Sequence, residues 1–158
     1  MSNIDKMVET VRRMMNDYAW SFIGRWYSWG GDDPMGGFDC SGFTSEVAKA
    51  FGALRRNERL SANEQWMRFS KYRVGNAQGG CLVFFASPTG QVNHVEYCLN
   101  SFLSVGASGG NSKTITIQDA IRDNAFIKLR PILRKRERKG FVDLAKVAVD
   151  GLIALEKE

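Results

Sequence analysis

The sequence predicts an α+β domain in which N-terminal helices pack on a small antiparallel β-sheet, with one further helix at the C-terminus. Two observations indicate this fold class. Apolar residues recur at helical spacing through the first half of the chain, and short apolar runs of strand length, separated by turn residues, follow in the second half. The 158 residues suffice for one compact domain with a core and are too few for two domains of ordinary size.

An amphipathic helix over residues 4–24 is the first predicted element. Its apolar residues recur at three- and four-residue spacing and form a single stripe that faces a core. They are Ile4, Met7, Val8, Val11, Met14, Met15, Tyr18, Ala19, Phe22 and Ile23. Residues 26–38 follow with four glycines and one proline, which predicts an ordered, aromatic-rich loop without regular structure.

Two more helices are predicted before the sheet. The helical period restarts at Phe43, and Gly52 is a natural C-terminal stop, so a helix is expected to begin close to Cys40. Ser61 and Glu64 form the Ser-x-x-Glu pattern that caps a helix at its N-terminus. A short helix is therefore expected directly after Ser61.

The second half of the chain predicts strands separated by turns. The expected strands are residues 81–86, 92–99, 102–107, 114–117 and 126–133, the last at a sheet edge because it contains Pro131. Residues 119–124 predict a weak helical turn, and residues 141–155 regain the spacing of an amphipathic helix. We therefore expect one domain over residues 1–133, followed by a basic segment and a C-terminal helix over residues 134–158.

Composition excludes several classes of protein. No stretch approaches the roughly eighteen consecutive apolar residues of a membrane span. The N-terminus has neither the basic start nor the apolar run of a signal peptide, so we expect synthesis in the cytoplasm without such a leader. Cys40, Cys81 and Cys98 cannot all pair and match no zinc pattern, so we expect free thiols in a reducing compartment and neither metal nor cofactor.

The positive charge is concentrated in one segment. The chain has a net charge of +5 and a pI near 9.3, and the cations of residues 128–139 account for more than the whole excess. This segment fits a solvated linker or helix face, or a contact with anionic wall polymer or a membrane surface. The helix after it fits either that contact or packing back on the domain. Nucleic acid is not an expected partner.

The chemistry points to one cysteine and one histidine. A cysteine at a helix N-terminus is unusual because the helix dipole and the unpaired backbone amides favour an anion there. Cys40 occupies this position, and His94, at the start of a predicted strand, is the single histidine that could act as its base. Both residues also have a structural interpretation, as a buried thiol and as a hydrogen-bonded core imidazole.

The residues around this pair carry a resemblance to a known family. Residues 27–31 read Tyr-Ser-Trp-Gly-Gly, residues 38–43 read Phe-Asp-Cys-Ser-Gly-Phe, residues 80–85 read Gly-Cys-Leu-Val-Phe-Phe, and His94-Val95 follows. This ordered set resembles the NlpC/p60 peptidases, papain-like cysteine peptidases of bacterial cell-wall turnover and phage lysis. The resemblance covers roughly residues 18–118 and implies a papain-like, NlpC-type catalytic domain.

Roles are expected for six residues of these motifs. Cys40 is the expected nucleophile and His94 the base, with the Cys40 amide helping to hold the oxyanion. The Tyr27 hydroxyl is expected to approach the reactive centre. Asp39 and Ser41 are expected to line the substrate pocket, although Asp39 fits a helix cap equally well. Trp29 is expected to wall the groove, or simply to pack.

The chain departs from the family pattern at the third catalytic position. Relatives place a polar residue, commonly histidine, on the strand after the base, and this position falls on Gly106. Period-two geometry makes Ser108 the first candidate to replace it and Asn111, in the next turn, the second. Cys81 stands where the family has an acid, and we interpret it, like Cys98, as an inert strand residue.

The implied function is hydrolysis of peptidoglycan stem peptides, at the γ-D-glutamyl–diaminopimelate bond that relatives favour. The glycine-rich residues 104–110 resemble the phage-borne branch of the family, which predicts an endolysin or tail-associated hydrolase that reaches the wall by phage delivery or lysis. Two alternatives stay open. The same Cys and His would serve an amidase or acyltransferase, and a degenerate, non-catalytic domain would bind wall polymer or a phage tail.

Overall fold

A computed structural model describes residues 1–157 of the chain. Its helices are α1 (Asn3–Trp20), α2 (Cys40–Ala50), α3 (Ala62–Arg68), α4 (Ile117–Asp123) and α5 (Leu144–Leu155). Its strands are β1 (Asp32–Asp33), β2 (Gly37–Phe38), β3 (Arg73–Val74), β4 (Cys81–Ala86), β5 (Val92–Cys98), β6 (Leu103–Ser108), β7 (Phe126–Pro131) and β8 (Arg138–Asp143). None of the helices among these residues is both long and apolar enough to cross a membrane.

Six strands form one antiparallel sheet in the order β3-β8-β4-β5-β6-β7. β1 and β2 form a separate two-residue ladder inside the loop that was expected to be irregular. Helices pack on the six-stranded sheet, so the predicted α+β class is confirmed.

The first two long helices follow their sequence signals. Ser2 caps α1 in a reciprocal capping box with Asp5, and Gly52 ends the α2 region with a positive φ of 79°. α1 ends four residues before the predicted boundary. Turns follow over residues 21–24, and the Gly24 amide, at a φ of 94°, then donates to the Ile127 carbonyl on β7 at 2.8 Å.

The predicted strand over residues 114–117 is wrong. Thr116 is the N-cap of α4: its hydroxyl accepts from the Asp119 amide at 3.1 Å, and the Asp119 carboxylate accepts from the Thr116 amide at 3.0 Å. The apolar alternation of this segment was therefore misleading. The Thr-x-x-Asp capping pattern was the signal that decides its structure.

The basic segment contributes a strand that the sequence analysis did not predict. β8 lies inside the sheet, hydrogen-bonded to β4 on one side and β3 on the other, and α5 begins at Leu144 instead of residue 141. Gly140 lets the Trp66 ring pack directly on β8, because a Cβ there would lie 2.9 Å from the ring. The C-terminal segment thus supplies β8 of the sheet as well as the last helix.

The sheet separates two clusters of buried residues. Val95 and Tyr97 on β5 belong to the main core, which the helices complete. His94 and Glu96 alternate with them and point to the other face, where a second, smaller cluster contains Phe85. The loop between β7 and β8, residues 132–137, covers this second face.

A buried ion pair joins the N- and C-terminal helices. The Arg12 guanidinium on α1 donates to both carboxylate oxygens of Asp143, at 2.9 and 2.7 Å. Asp143 also caps α5 by accepting from the Lys146 amide at 3.2 Å. Both charged side chains are almost fully buried, so neither is stable without the other.

We expect Arg12→Met to lower the free energy of unfolding by roughly 3–5 kcal/mol, because it leaves the Asp143 carboxylate buried without its partner. Arg13→Met, on the exposed side of the same helix, is the control and should change it by no more than about 0.5 kcal/mol. Denaturant unfolding followed by circular dichroism measures both. Equal effects of the two substitutions would contradict a structural role for the ion pair.

Candidate active site

Cys40 is the first residue of α2, as the sequence predicts, and its side chain is partly exposed. The preceding loop lies tightly against this first turn. The Asp39 amide donates to the Gly31 carbonyl at 3.0 Å, and the Gly31 carbonyl also lies so close to Gly42 that any side chain at that position would collide with it. The glycines of the two sequence motifs therefore allow the loop to pack beside the thiol.

Asp39 is the N-cap of α2. One of its carboxylate oxygens accepts from the Gly42 amide at 2.7 Å, and the other accepts from the Gly30 amide and the Arg59 guanidinium, each at 3.1 Å. The Ser41 hydroxyl donates to the first oxygen at 3.3 Å. Asp39 thus fixes the start of the helix, the glycine loop and Arg59 in one arrangement.

His94 lies on β5, is 7 % exposed, and lines one cavity of about 180 Å³ together with Cys40. Burial lowers the pKa of His94, but hydrogen bonds to Cys40 and Glu96 and their negative charges outweigh burial, so the pKa is raised. These contacts favour a proton on the imidazole more than in a free histidine, as transfer of the Cys40 proton to His94 requires.

Glu96 is the hydrogen-bond partner of the imidazole. Its Oε2 lies 2.7 Å from His94 Nε2 and accepts from Arg134 Nη2 at 2.9 Å, while its Oε1 accepts from the Ser104 hydroxyl at 2.7 Å. Glu96 is fully buried. Burial raises its pKa, but the His94 hydrogen bond and charge, with Arg134 and Ser104, hold it at about 2.

A carboxylate in this position sets the geometry of the ring. An anionic Glu96 accepts the proton of Nε2, which leaves Nδ1 as the nitrogen available to the Cys40 thiol. The tautomer and the orientation of the imidazole are thereby both fixed.

Gly106 on β6 explains why a glycine stands at the expected third position. A Cβ at Gly106 would lie within 3 Å of the Glu96 side chain. Glu96 occupies the space that a residue-106 side chain would fill, so the orienting group comes from the strand of His94 itself.

Among the hydrogen bonds of residues 1–157, neither sequence candidate for this role bonds to His94. The Ser108 hydroxyl lines the same cavity but accepts from Arg130 Nη1 at 2.6 Å. The Asn111 side chain accepts from the Lys113 amide at 2.8 Å. The orienting residue in this structure is Glu96, and the signal for it was the two-residue spacing that places positions 94 and 96 on one face of a strand.

The aromatic residues of the loop differ in their roles. Tyr27 is buried and lines the cavity, with its ring against Gly110. Burial, and then the negative charges of Cys40 and Asp39, raise the pKa of its hydroxyl, which stays protonated. Trp29 is 53 % exposed and walls the groove.

Two cavities meet at the thiol. The first, which we call the His94 cavity, is the cavity of about 180 Å³ that Cys40 and His94 line together. The second, which we call the Asp39 cavity, measures about 420 Å³ and is lined by Asp39, Ser41, Arg59, Ser61 and Glu64. Cys40, Tyr27, Trp29 and Asn93 border both.

The other two cysteines lie away from this groove. All three cysteines are free thiols, as predicted, and Cys81 and Cys98 are buried opposite each other on β4 and β5. Burial raises the pKa of Cys81 to about 11 and that of Cys98 well above its ordinary value. Both residues are inert at neutral pH.

A family model described as the NlpC/P60 family matches residues 24–128. The chain belongs to the NlpC/P60 family. The matched segment contains Cys40, His94, Glu96 and Gly106 and ends before Arg134 and β8.

Curated NlpC/P60 relatives are longer proteins. The chain is 39 % identical over 88 residues to the bifunctional muramidase/DL-endopeptidase CwlT of Bacillus subtilis. The aligned segment is 51 % of this chain and 26 % of CwlT. It is 36 % identical over 101 residues to the probable endopeptidase p60 of Listeria seeligeri. This segment is 64 % of this chain and 16 % of that p60 protein. The chain thus spans between about one sixth and one quarter of the length of these relatives.

Solved NlpC/P60 structures share the fold. The peptidoglycan hydrolase RipB of Mycobacterium tuberculosis superimposes with a TM-score of 0.65 at 23 % identity, over 90 % of this chain and 67 % of RipB. An NlpC/P60 family protein of Bacillus cereus superimposes with a TM-score of 0.63 at 21 % identity, over 83 % of this chain and 39 % of the Bacillus cereus chain. The helix-on-sheet architecture is therefore that of the family.

We expect Gly106→Ala to lower the free energy of unfolding by roughly 1–3 kcal/mol, because the new methyl group collides with Glu96. In a protein that already carries Glu96→Ala, the same substitution should lower the free energy of unfolding much less, since the side chain it would collide with is absent. Gly75→Ala, in open space, is the matched control. A double-mutant cycle by denaturant unfolding measures the coupling between positions 96 and 106. If the effects of the two substitutions on the free energy of unfolding were additive, Glu96 would not be what excludes a side chain at position 106.

Proposed function

We propose that this chain is a cysteine endopeptidase that hydrolyses amide bonds in peptidoglycan stem peptides. One observation carries the proposal: a thiol at the start of α2 and an imidazole held by a buried carboxylate line the same cavity. This is the arrangement that acyl transfer by a thiolate requires.

The chemistry follows from this geometry. His94 Nδ1 accepts the thiol proton, and the Cys40 thiolate attacks the carbonyl carbon of the scissile amide. Backbone amides at the start of α2, including that of Cys40, stabilise the oxyanion. The imidazolium then protonates the leaving amine and the carbon–nitrogen bond breaks, leaving a thioester. Water, deprotonated by His94, hydrolyses the thioester and frees the thiol.

Glu96 is the positioning residue in this scheme. Its carboxylate fixes the ring and stabilises the imidazolium that forms during the reaction. Ser104 and Arg134 hold the carboxylate in place, at 2.7 and 2.9 Å. This removes the main reason to treat the chain as a non-catalytic domain, which was the glycine at position 106.

The names of the relatives support the substrate. The p60 proteins are named probable endopeptidases, CwlT a DL-endopeptidase and RipB a peptidoglycan hydrolase. A DL-endopeptidase cuts between a D- and an L-residue, which in a stem peptide is the γ-D-glutamyl–diaminopimelate bond. We assign this bond to the chain as the proposed point of cleavage.

Four residues are proposed to contact the stem peptide around the nucleophile. Tyr27 and Trp29 border both cavities, and Ser41 lines the Asp39 cavity. Both carboxylate oxygens of Asp39 accept hydrogen bonds from backbone amides, those of Gly30 and Gly42. Its proposed contribution is therefore to hold the wall of the pocket in place and to give that wall a negative charge.

Phage delivery stays a prediction. The glycine-rich stretch at residues 104–110 is its support, although Gly106 within that stretch also has the structural role described above. Lysis of whole cells from outside, compared with digestion of purified wall, tests whether the protein acts without a delivery route.

Cys40→Ala should reduce release of new amines from purified peptidoglycan by roughly 10³-fold or more, because no other group can form the thioester. Cys98→Ala removes a buried thiol outside both cavities and is the matched control, which should keep activity. Mass spectrometry of the muropeptides identifies the bond that is cut. Unchanged turnover by Cys40→Ala would end the assignment, and products of another amide class would favour the amidase alternative.

Glu96→Gln should move the alkaline limb of the kcat/KM pH profile to lower pH. The carboxylate raises the pKa of His94, so without its charge the imidazolium loses its proton at lower pH as the pH rises. Ser104→Ala removes a hydrogen bond to Glu96 but no charge and should shift the limb less. An unchanged alkaline limb in Glu96→Gln would contradict the electrostatic role of Glu96.

A further inference from the structure

The two cavities beside Cys40 differ in charge. The Asp39 cavity contains two acids, Asp39 and Glu64, and one base, Arg59, which is bonded to Asp39 at 3.1 Å. In the His94 cavity, Arg136 is the one permanently charged residue among the lining residues that the structure describes. The groove is therefore negative on one side of the nucleophile and positive on the other.

The mechanism assigns a part of the substrate to each side. His94 protonates the leaving amine, so the leaving-group residue must lie in the cavity that His94 lines. The acyl part then lies in the Asp39 cavity. This step depends on the proposed peptidase function.

Arg136 is free to bind an anion. Its guanidinium is anchored by one hydrogen bond, from Nη2 to Asn93 Oδ1 at 3.1 Å, and lies 5.4 Å from the centre of the Phe85 ring. Within residues 1–157, no carboxylate forms an ion pair with it. Its neighbour Arg134 differs, because that guanidinium is already paired with Glu96.

The surroundings increase the affinity of this position for an anion. Partial burial and the positive charges of Arg134 and Arg130 lower the pKa of Arg136, although the negative charges of Glu96 and Cys40 oppose this. A second base, Arg130, reaches the cavity wall through its bond to Ser108. A guanidinium offers a planar fork of donors that matches a carboxylate.

We propose that Arg136, steadied by Asn93, binds a free carboxylate on the leaving-group residue of the substrate. The chain would then select stem peptides in which the residue on the amine side of the cut bond carries an un-amidated carboxylate. Diaminopimelate has such a group beyond its main chain and lysine does not, so the same contact separates the two classes of stem peptide.

The test uses the tripeptide L-alanyl-γ-D-glutamyl-diaminopimelate with both diaminopimelate carboxylates free, and the same peptide with both converted to amides. The wild type should favour the free acid by about tenfold or more in kcat/KM, the range of a charge-assisted hydrogen bond. Arg136→Gln should bring this ratio close to one by slowing the free acid. The two monoamides show which carboxylate is bound.

Lys135→Gln is the matched control because it removes the same charge from the neighbouring exposed residue, and it should keep the wild-type ratio. Arg136→Lys should give an intermediate ratio, since it keeps the charge and loses the fork. Thermal unfolding confirms that each variant is folded.

An unchanged ratio in Arg136→Gln, or an equal loss in Lys135→Gln, would overturn the assignment while leaving the peptidase function intact. A wild type that cuts neither peptide but is folded would contradict the proposed function itself, and the carboxylate site with it. The two failures are therefore distinguishable.

Discussion

The hydrogen bond between His94 and a fully buried carboxylate is the interaction on which the rest of the site depends. Burying a charge is costly unless it is paired with an opposite charge and hydrogen-bonded. Glu96 meets this requirement with three partners from three places in the chain: His94 on its own strand, Ser104 on β6, and Arg134 in the loop before β8. Gly106 provides the space. His94, two strands and the C-terminal segment are thus joined through one carboxylate.

Cys40 is positioned by a separate and more local set of contacts. Asp39 caps α2, holds the glycine loop and pairs with Arg59. Gly42 allows that loop to approach the first helical turn. Because these contacts lie close together in sequence, the start of α2 is fixed largely by its own neighbourhood. The hydrogen bonds that position the thiol are therefore mostly made by residues near it in the sequence.

This difference explains what the sequence could and could not predict. The Cys40 helix, its glycine stop and the strand of His94 have local signals, and all were found. For Glu96 the local signal is its two-residue spacing from His94 on β5. That spacing does not predict burial, because an acid in a half-polar strand normally points to solvent, and it is the pairing of β5 with β6 that places Glu96 against Gly106. β8 was missed for a similar reason. Its charged residues suggested a solvated segment, and its neighbours in the sheet, β3 and β4, are distant in sequence.

Arg134 lies beyond the segment that matches the family, yet it neutralises the charge that orients the base. β8 and the Arg12–Asp143 pair then anchor the chain that carries it. For chimeras made by exchanging domains, this determines where the junction should lie. A chimera joined to its next domain at residue 128 would contain Cys40 and His94 but not Arg134, whereas a junction after α5 would transfer all three.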